Sequence, residues 1–428
     1  MPLLIASLVL AATATVGLAA CGDDGGGGGE TSLNLTIGDI VPLTGDLADF
    51  GPPGRKAADL ALRQIRDAGQ EVGADHTVRV VHEDGQTDPQ AGVQAGRKLV
   101  DADNASCLAG AWASSVSIPV ARSVAIREDV LQISPASTSD EITGLEDDGL
   151  MNRTAPPDRF QGPALATVME EALGGAQGKT VNIGARNDAY GTGLSDTFTA
   201  AWEEKGGQIG ERVIYDPEQP SYNSEARQIV SGGPDAWVII DFPATYENVG
   251  PALVRTGDWD PERTFVTDGL ASGDLPGNAG RQATEGMRGT APGSPDAGEA
   301  AEAFDTLYTD APGPDRQTFD AQNFDAVILC YLAAVAAGST DGPDMAGELQ
   351  NISGPGGDQF TWEQLPDAIR ALQDGNDIDY EGASGPVNLN DDGDPTAGVY
   401  DIFRYRDGEV DVFDETPVEA PDGGGQAE

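Results

Sequence analysis

Leu33-Asn34-Leu35-Thr36-Ile37 reads as a strand, and the stretch that follows at 54–67 sets Ala57, Leu60, Ala61 and Ile65 on one face of a helix. This strand and helix pair decides the fold class because it recurs. Further strands are predicted over 77–81, 106–111 and 130–133, separated by helices over 89–101 and 119–127. Short Val- and Ile-rich runs alternating with helices give a parallel sheet covered on both faces. After Arg153-Thr154-Ala155-Pro156-Pro157 the rhythm restarts, with helices over 160–173, 193–205, 224–231 and 246–256 and strands over 180–184, 208–215, 236–240 and 264–267. A second lobe is the economical explanation. Helices over 324–337 and 362–372 come later, then a hairpin pairing 399–405 with 409–413 around Arg406-Asp407-Gly408.

The 428-residue chain carries 24 Lys+Arg against 72 Asp+Glu, a formal net charge of −48. Such a surface repels phosphates, so nucleic acid is a poor partner. It stays soluble where salt screens its self-repulsion, which fits a salt-loving or alkaline-tolerant host as well as simple surface solvation. Residues 3–20 are apolar, small or threonine and end in Leu18-Ala19-Ala20-Cys21, with a glycine run at 25–29 close behind. That pattern is a lipoprotein signal: residues 1–20 are the signal peptide, Cys21 carries lipid, and 21–32 form a flexible tether. A transmembrane anchor is the alternative. The rest is then a body held outside the cytoplasm, on the outer face of the membrane or in the periplasm.

Several motifs stand in one order along the chain. They are Ile37-Gly38-Asp39-Ile40-Val41-Pro42-Leu43-Thr44-Gly45 with Phe50-Gly51, then Asp84-Gly85-Gln86-Thr87-Asp88-Pro89, the stretch 110–119, Ile133-Ser134-Pro135-Ala136-Ser137-Thr138, Tyr190-Gly191-Thr192-Gly193, and Phe324-Asp325-Ala326-Val327. In that order they resemble the branched-chain amino-acid binding proteins, the type I solute receptors of ABC importers. The resemblance covers nearly all of 33–415. It implies an α/β fold of two doubly wound, Rossmann-like lobes joined by three hinge segments. Lobe 1 would take 33–155 and 290–382, lobe 2 would take 156–289 and 383–415, and 416–428 would be a disordered tail.

Ligands of open α/β sheets sit beyond the carboxyl ends of strands. By similarity to the family, Ser114 and Thr138 would donate hydroxyl hydrogen bonds to a ligand α-carboxylate, and the Ala136 carbonyl would accept from the α-ammonium. Ser137 adds little bulk beside them. Tyr190 would lay its ring over the ligand, Asp268 would receive the ammonium, and Phe50 and Trp112 would form walls. From the residues alone, Ser114 is an N-cap and Thr138 a turn residue. Phe242 and Tyr246 are further cleft aromatics without an assigned role. The partners implied are a small amino acid or amide-like solute, the membrane subunits of an ABC permease, and a membrane reached through the lipid; the protein would be a monomer without cofactor.

Catalysis finds little support. His76 and His82 flank one strand without metal-ligand spacing and read as surface or edge residues. No Gly-x-Ser-x-Gly elbow is present. The stretch 388–394 lacks the glutamate of a calcium loop, since Val399 stands there, and reads as a turn. Cys107 and Cys330 read as separate buried thiols.

Overall fold

The computed structural model describes residues 32–293 and 298–419. The lipidation at Cys21 and the tether to residue 31 lie outside them. Lobe 1 opens with β1 (Leu33–Val41), α1 (Gly51–Val72), β2 (His76–Asp84), α2 (Pro89–Asp101), β3 (Cys107–Gly110), α3 (Ser114–Val120), β4 (Leu131–Ser134) and β5 (Met151–Arg153). Local chemistry sets the ends of these elements. Prolines in the first turn of α1 give up N–H groups that would find no partner there, and Gly73, at φ 75°, closes that helix in the left-handed region. Asp88 caps α2 by accepting from the Ala91 N–H at 2.7 Å.

The chain then crosses to lobe 2 and builds α4 (Asp158–Leu173), β6 (Thr180–Arg186), α5 (Ala189–Glu204), β7 (Gln208–Tyr215), α6 (Asn223–Ile229), β8 (Ala236–Ile240), α7 (Pro243–Thr256), β9 (Thr264–Val266), α8 (Leu275–Asn278) and β10 (Arg288–Pro292). It returns to lobe 1 for α9 (Glu299–Asp310), α10 (Asp320–Ala337), α11 (Gly342–Ser353), β11 (Asp358–Thr361), α12 (Leu365–Gln373), β12 (Ile378–Gly382) and β13 (Gly385–Pro386). A last crossing delivers the hairpin of β14 (Ala397–Arg406) and β15 (Glu409–Glu419) to lobe 2. Its two-residue turn, Asp407-Gly408, has positive φ at both positions, the mirror-image geometry that suits twisted strands.

The lobe 1 sheet runs β2-β1-β3-β4-β5, all parallel. The lobe 2 sheet runs β15-β14-β10-β9-β8-β6-β7, with β14 and β15 antiparallel. Strand order reverses between β1 and β3 in one lobe and between β6 and β8 in the other. The crevices beyond those strand ends face each other, so the topology itself makes an interlobe site. Lobe 1 buries α10, apolar from Ala326 to Ala337, between its sheet and α1, α11 and α12.

Several expectations need correction. The boundary at 289/290 fails because β10 straddles it and pairs with β9 and β14 in lobe 2. Residues 383–389 belong with lobe 1, where Ala383, Val387 and Leu389 join its core, so the last crossing falls beyond Asp394. Residues 416–419 are no disordered tail, since β15 pairs with β14 through Glu419. The helix expected from 119 begins at Ser114, in its first turn, with Ala113 as the cap. Helices α9 and α11 and the small sheet of β11, β12 and β13 were not predicted.

Cys107 and Cys330 form a disulfide, with Cα atoms 5.9 Å apart. The packing of α10 across β3 brings together residues separated by 223 positions, a proximity that spacing in the sequence does not encode. Closing so long a loop stabilises a fold by about 5 kcal/mol in the chain-entropy account. Reduction with dithiothreitol is therefore expected to lower the unfolding midpoint substantially; an unchanged urea midpoint after reduction would contradict it. His82 sits on the edge strand β2 but is not a simple surface residue. It bonds the buried Asp39 at 2.6 Å and Asp59 at 3.2 Å. Burial alone would lower its pKa, yet these two carboxylates push it up to about 9.

Candidate functional site

Loops beyond six strand ends meet in one narrow cavity between the lobes. Lobe 1 contributes Leu47 and Phe50 after β1, Trp112, Ala113 and Ser114 after β3, Ala136 after β4, and Phe319 before α10. Lobe 2 contributes Tyr190 after β6, Phe242 after β8, and Asp268 with Gly269 after β9. The expected residues Phe50, Trp112, Ser114, Ala136, Tyr190 and Asp268 thus converge. Ser137 and Thr138 lie one layer behind them. The Ser137 hydroxyl is used up structurally, donating to the Trp112 carbonyl at 2.9 Å beside the Ser117 hydroxyl at 2.7 Å. Thr138 turns its buried hydroxyl toward the Asp158 carboxylate rather than the cavity.

The apolar wall is aromatic. Phe319 meets Phe50 and Trp112 edge-on, with centroids 6.5 and 6.2 Å apart, and Tyr190 stacks on Phe242 at 5.1 Å. Phe319 holds a left-handed φ of 72°, a strained setting for a residue with a side chain. A Cβ on Gly54 would lie 2.2 Å from the Trp112 ring, so only glycine lets α1 seat that wall. Tyr246 is no cleft residue: its hydroxyl donates to the Ala283 carbonyl at 2.7 Å inside the lobe 2 core.

The polar groups divide by lobe. On lobe 1, the Ser114 hydroxyl accepts from the Ser139 N–H at 3.2 Å, which leaves its own hydrogen free to point into the cavity. On lobe 2, the Tyr190 hydroxyl donates to Asp268 at 2.8 Å and lies 2.6 Å from the Thr267 hydroxyl. Burial pushes Asp268 up to about 6, although the Tyr190 bond pulls the other way. Cavity and charge are thus arranged as a hydroxyl pole facing a carboxylate pole across an aromatic wall.

Sequence reasoning missed the contacts that hold the lobes together. Asp46, in the loop after β1, takes a hydrogen bond from Arg186 of β6 at 3.0 Å and one from Thr245 at 3.2 Å. Arg186 also pairs with Asp188 and lies face-on over Phe242, 3.7 Å from the ring centroid. Ser272 donates to Asp49, and Thr318 to the Ala271 carbonyl at 3.2 Å. The lobes are closed on each other. Asp46→Ala is expected to favour the open form, with a larger radius of gyration in solution scattering. Ligand affinity should fall about two- to fivefold, as suits a half-exposed ion pair.

Residues 34–408 match the protein family described as periplasmic binding protein. The chain belongs to the periplasmic binding protein family. Membership implies a place outside the cytoplasm, in the periplasm or its equivalent. This periplasmic binding protein is 28% identical over 381 residues to Leu/Ile/Val-binding protein homolog 3 of Brucella melitensis, spanning 88% of this chain and 93% of that one. It is 27% identical over 387 residues to the chemotactic signal transduction system substrate-binding protein BasB of Halobacterium salinarum, spanning 88% of each. Its fold is similar to that of the leucine binding protein LivK of Thermotoga maritima, with a TM-score of 0.72 and 23% identity over 91% of this chain and 99% of the other. These relatives bind substrates and are not enzymes. The two-lobed architecture expected from the strand and helix rhythm is the type I fold.

Proposed function

We propose that the protein binds a branched-chain or related amino acid between its lobes and delivers it to an ABC permease, from a lipid anchor at Cys21, as a monomer. One observation carries this reading. The Ser114 hydroxyl and the Asp268 carboxylate stand on opposite lobes, across a wall of Leu47, Phe50, Trp112 and Phe242. An α-amino acid has the complementary form: an anionic end, a cationic end and an apolar side chain.

Solute docks first on lobe 1, at the Ser114 and Thr138 loops. Lobe 2 then rotates in with Tyr190 and Asp268, and the Asp46–Arg186 contact closes over it. The closed form is what the permease recognises. Similarity to the leucine binding protein LivK and to a Leu/Ile/Val-binding homolog supports the choice of solute. Similarity to BasB favours a second reading, in which the same closed form reports to a chemotactic partner in the membrane.

The test is a thermal-shift screen against amino acids, amides, urea and aromatic acids at low and high salt. Binding to the folded state raises the melting temperature by mass action. A shift with branched-chain amino acids is the expected result. Shifts confined to aromatic acids or urea would remove the ammonium role of Asp268.

A further inference from the structure

Val412 and Phe413, neighbours on β15, are 51% and 46% exposed, and among the described residues they are the large hydrophobic side chains left facing water. A single apolar residue at a surface is ordinary, but an adjacent pair on so acidic a chain needs a reason. The backbone makes the pair. β14 and β15 set Ile402 opposite Asp414 and Phe403 opposite Val412, so Phe413 is the extra residue of a β-bulge. Neighbouring side chains of an unbroken strand point to opposite faces, and the bulge breaks that alternation here. Arg404 of β14 holds the Phe413 ring, with its guanidinium 4.9 Å from the ring centroid and its charge paired to Asp411 at 2.7 Å. β15 is also the edge of the lobe 2 sheet. The bulge, Pro417 and the carboxylates of Glu409, Asp411, Asp414 and Glu415 all oppose the addition of another strand, so a partner must be met through side chains.

Val412 lines an open groove between the lobes. Its lobe 2 wall carries Asp274 and Glu409 beside Val412, and its lobe 1 wall carries Asp315 and Arg316. Two hydrogen bonds hold the walls together: the Gly273 N–H donates to Gln317 Oε1 at 3.0 Å, and the Thr318 hydroxyl donates to the Ala271 carbonyl at 3.2 Å. Both run from lobe to lobe, so the groove has this shape only while the lobes are closed. Arg316 is committed to Asp305 and Asp320. Asp274, Asp315 and Glu409 are exposed, and none of them forms an ion pair among the described residues. An apolar pair thus stands beside a rim of carboxylates that the protein itself leaves without counter-charge. Charge selects the occupant. A second copy would set the same carboxylates against themselves, and lipid headgroups or nucleic acid would bring phosphate to an acidic rim. A segment with an apolar side chain between Lys or Arg residues matches both features.

We propose that this groove is the docking surface for such a cationic, apolar-tipped segment of a protein partner in the membrane, which takes it only when the lobes are closed. This rests on the reading of the closed form as the state that a membrane partner recognises. The partner's apolar side chain packs on Val412 and Phe413, its cations meet Asp274, Asp315 and Glu409, and solute in the cleft is what brings the two walls together.

The test replaces Phe413 with the photocrosslinking residue p-benzoylphenylalanine in the full chain, in cells of its own source, with and without L-leucine, and identifies the products by mass spectrometry. The expected product joins position 413 to an extramembrane loop of an integral membrane protein, at a peptide with Lys or Arg flanking the site, and leucine raises its yield about threefold or more. The same replacement of Glu203, exposed on α5 beside the opposite edge of the lobe 2 sheet, gives no such product. Charge reversal by Asp315→Lys with Glu409→Lys should cut the yield at least about tenfold, and should leave the calorimetric affinity for leucine within about twofold of wild type, since neither residue lines the cavity. A crosslink to a second copy, a yield indifferent to leucine, or a yield unchanged by the charge reversal overturns the proposal and leaves the amino-acid site standing. A wild type that binds no leucine in calorimetry removes the amino-acid reading, and this proposal with it.

Discussion

Asp394→Ala is expected to cost about 3–5 kcal/mol of stability, because it strands a buried arginine. Arg153 and Asp394 are both 0% exposed and bond at 2.6 Å. The remaining Arg153 donors go to the Ser139 carbonyl at 2.8 Å, the Ser137 carbonyl at 3.2 Å and the Thr143 hydroxyl at 2.8 Å. Arg159 reaches the other Asp394 oxygen at 2.9 Å. One carboxylate thus fixes the loop behind the hydroxyl pole to the segment just before the last crossing. Burial by itself would raise Asp394, but the two arginines and Thr143 hold it below its ordinary value. A depressed carboxylate contributes stability that is present at neutral pH and lost as pH falls through its folded pKa. Urea unfolding at pH 7 measures the effect. A midpoint shift worth less than about 1 kcal/mol would show that Arg153 finds another partner or water.

Asp268→Ala is expected to weaken an α-amino acid by at least roughly tenfold to a hundredfold, the worth of a charge-assisted hydrogen bond in a buried site. It also leaves the Tyr190 hydroxyl facing the cavity with no acceptor at that position, which deepens the loss. Calorimetry with L-leucine and with an aromatic carboxylic acid separates two roles. If Asp268 holds an ammonium, leucine loses affinity and the acid, which has none, loses little or gains. Equal losses for both would make Asp268 a support for Tyr190 and nothing more. The variant removes a buried group of raised pKa, so the lobes themselves should stay folded.

Much of this was open to reading in the chain. The first strand and its helix, Asp88 ahead of Pro89, and the Asp407-Gly408 turn are local chemistry, and local chemistry is written in order. That sites lie at the strand ends followed from them, because parallel sheets put their sites at one edge; the choice of Trp112, Ser114, Ala136, Tyr190 and Asp268 there came from the resemblance to the branched-chain amino-acid binding proteins. What remained hidden depends on which distant segments meet. Phe319 enters the cavity only because α10 comes back from the far side of lobe 2. Cys330 faces Cys107 for the same reason. The buried acids Asp39, Asp158 and Asp394 were invisible for a different one: among 72 acidic residues, nothing in the sequence marks those that are buried. Asp46 and Arg186 pair across the cleft, and no periodicity within either lobe predicts a contact between them.

The bridge from Cys107 to Cys330 ties the early part of lobe 1 to its late part, and all of α4 through β10 lies between them. A chain that emerges amino end first therefore presents one thiol long before the other exists. Lobe 2 receives an uninterrupted run of strands and helices and can build most of its sheet while lobe 1 still lacks α10, the helix its core is wrapped around. Lobe 1 stays unfinished until α10 arrives, and the cysteine pair can be oxidised only then, before the β14–β15 hairpin completes lobe 2.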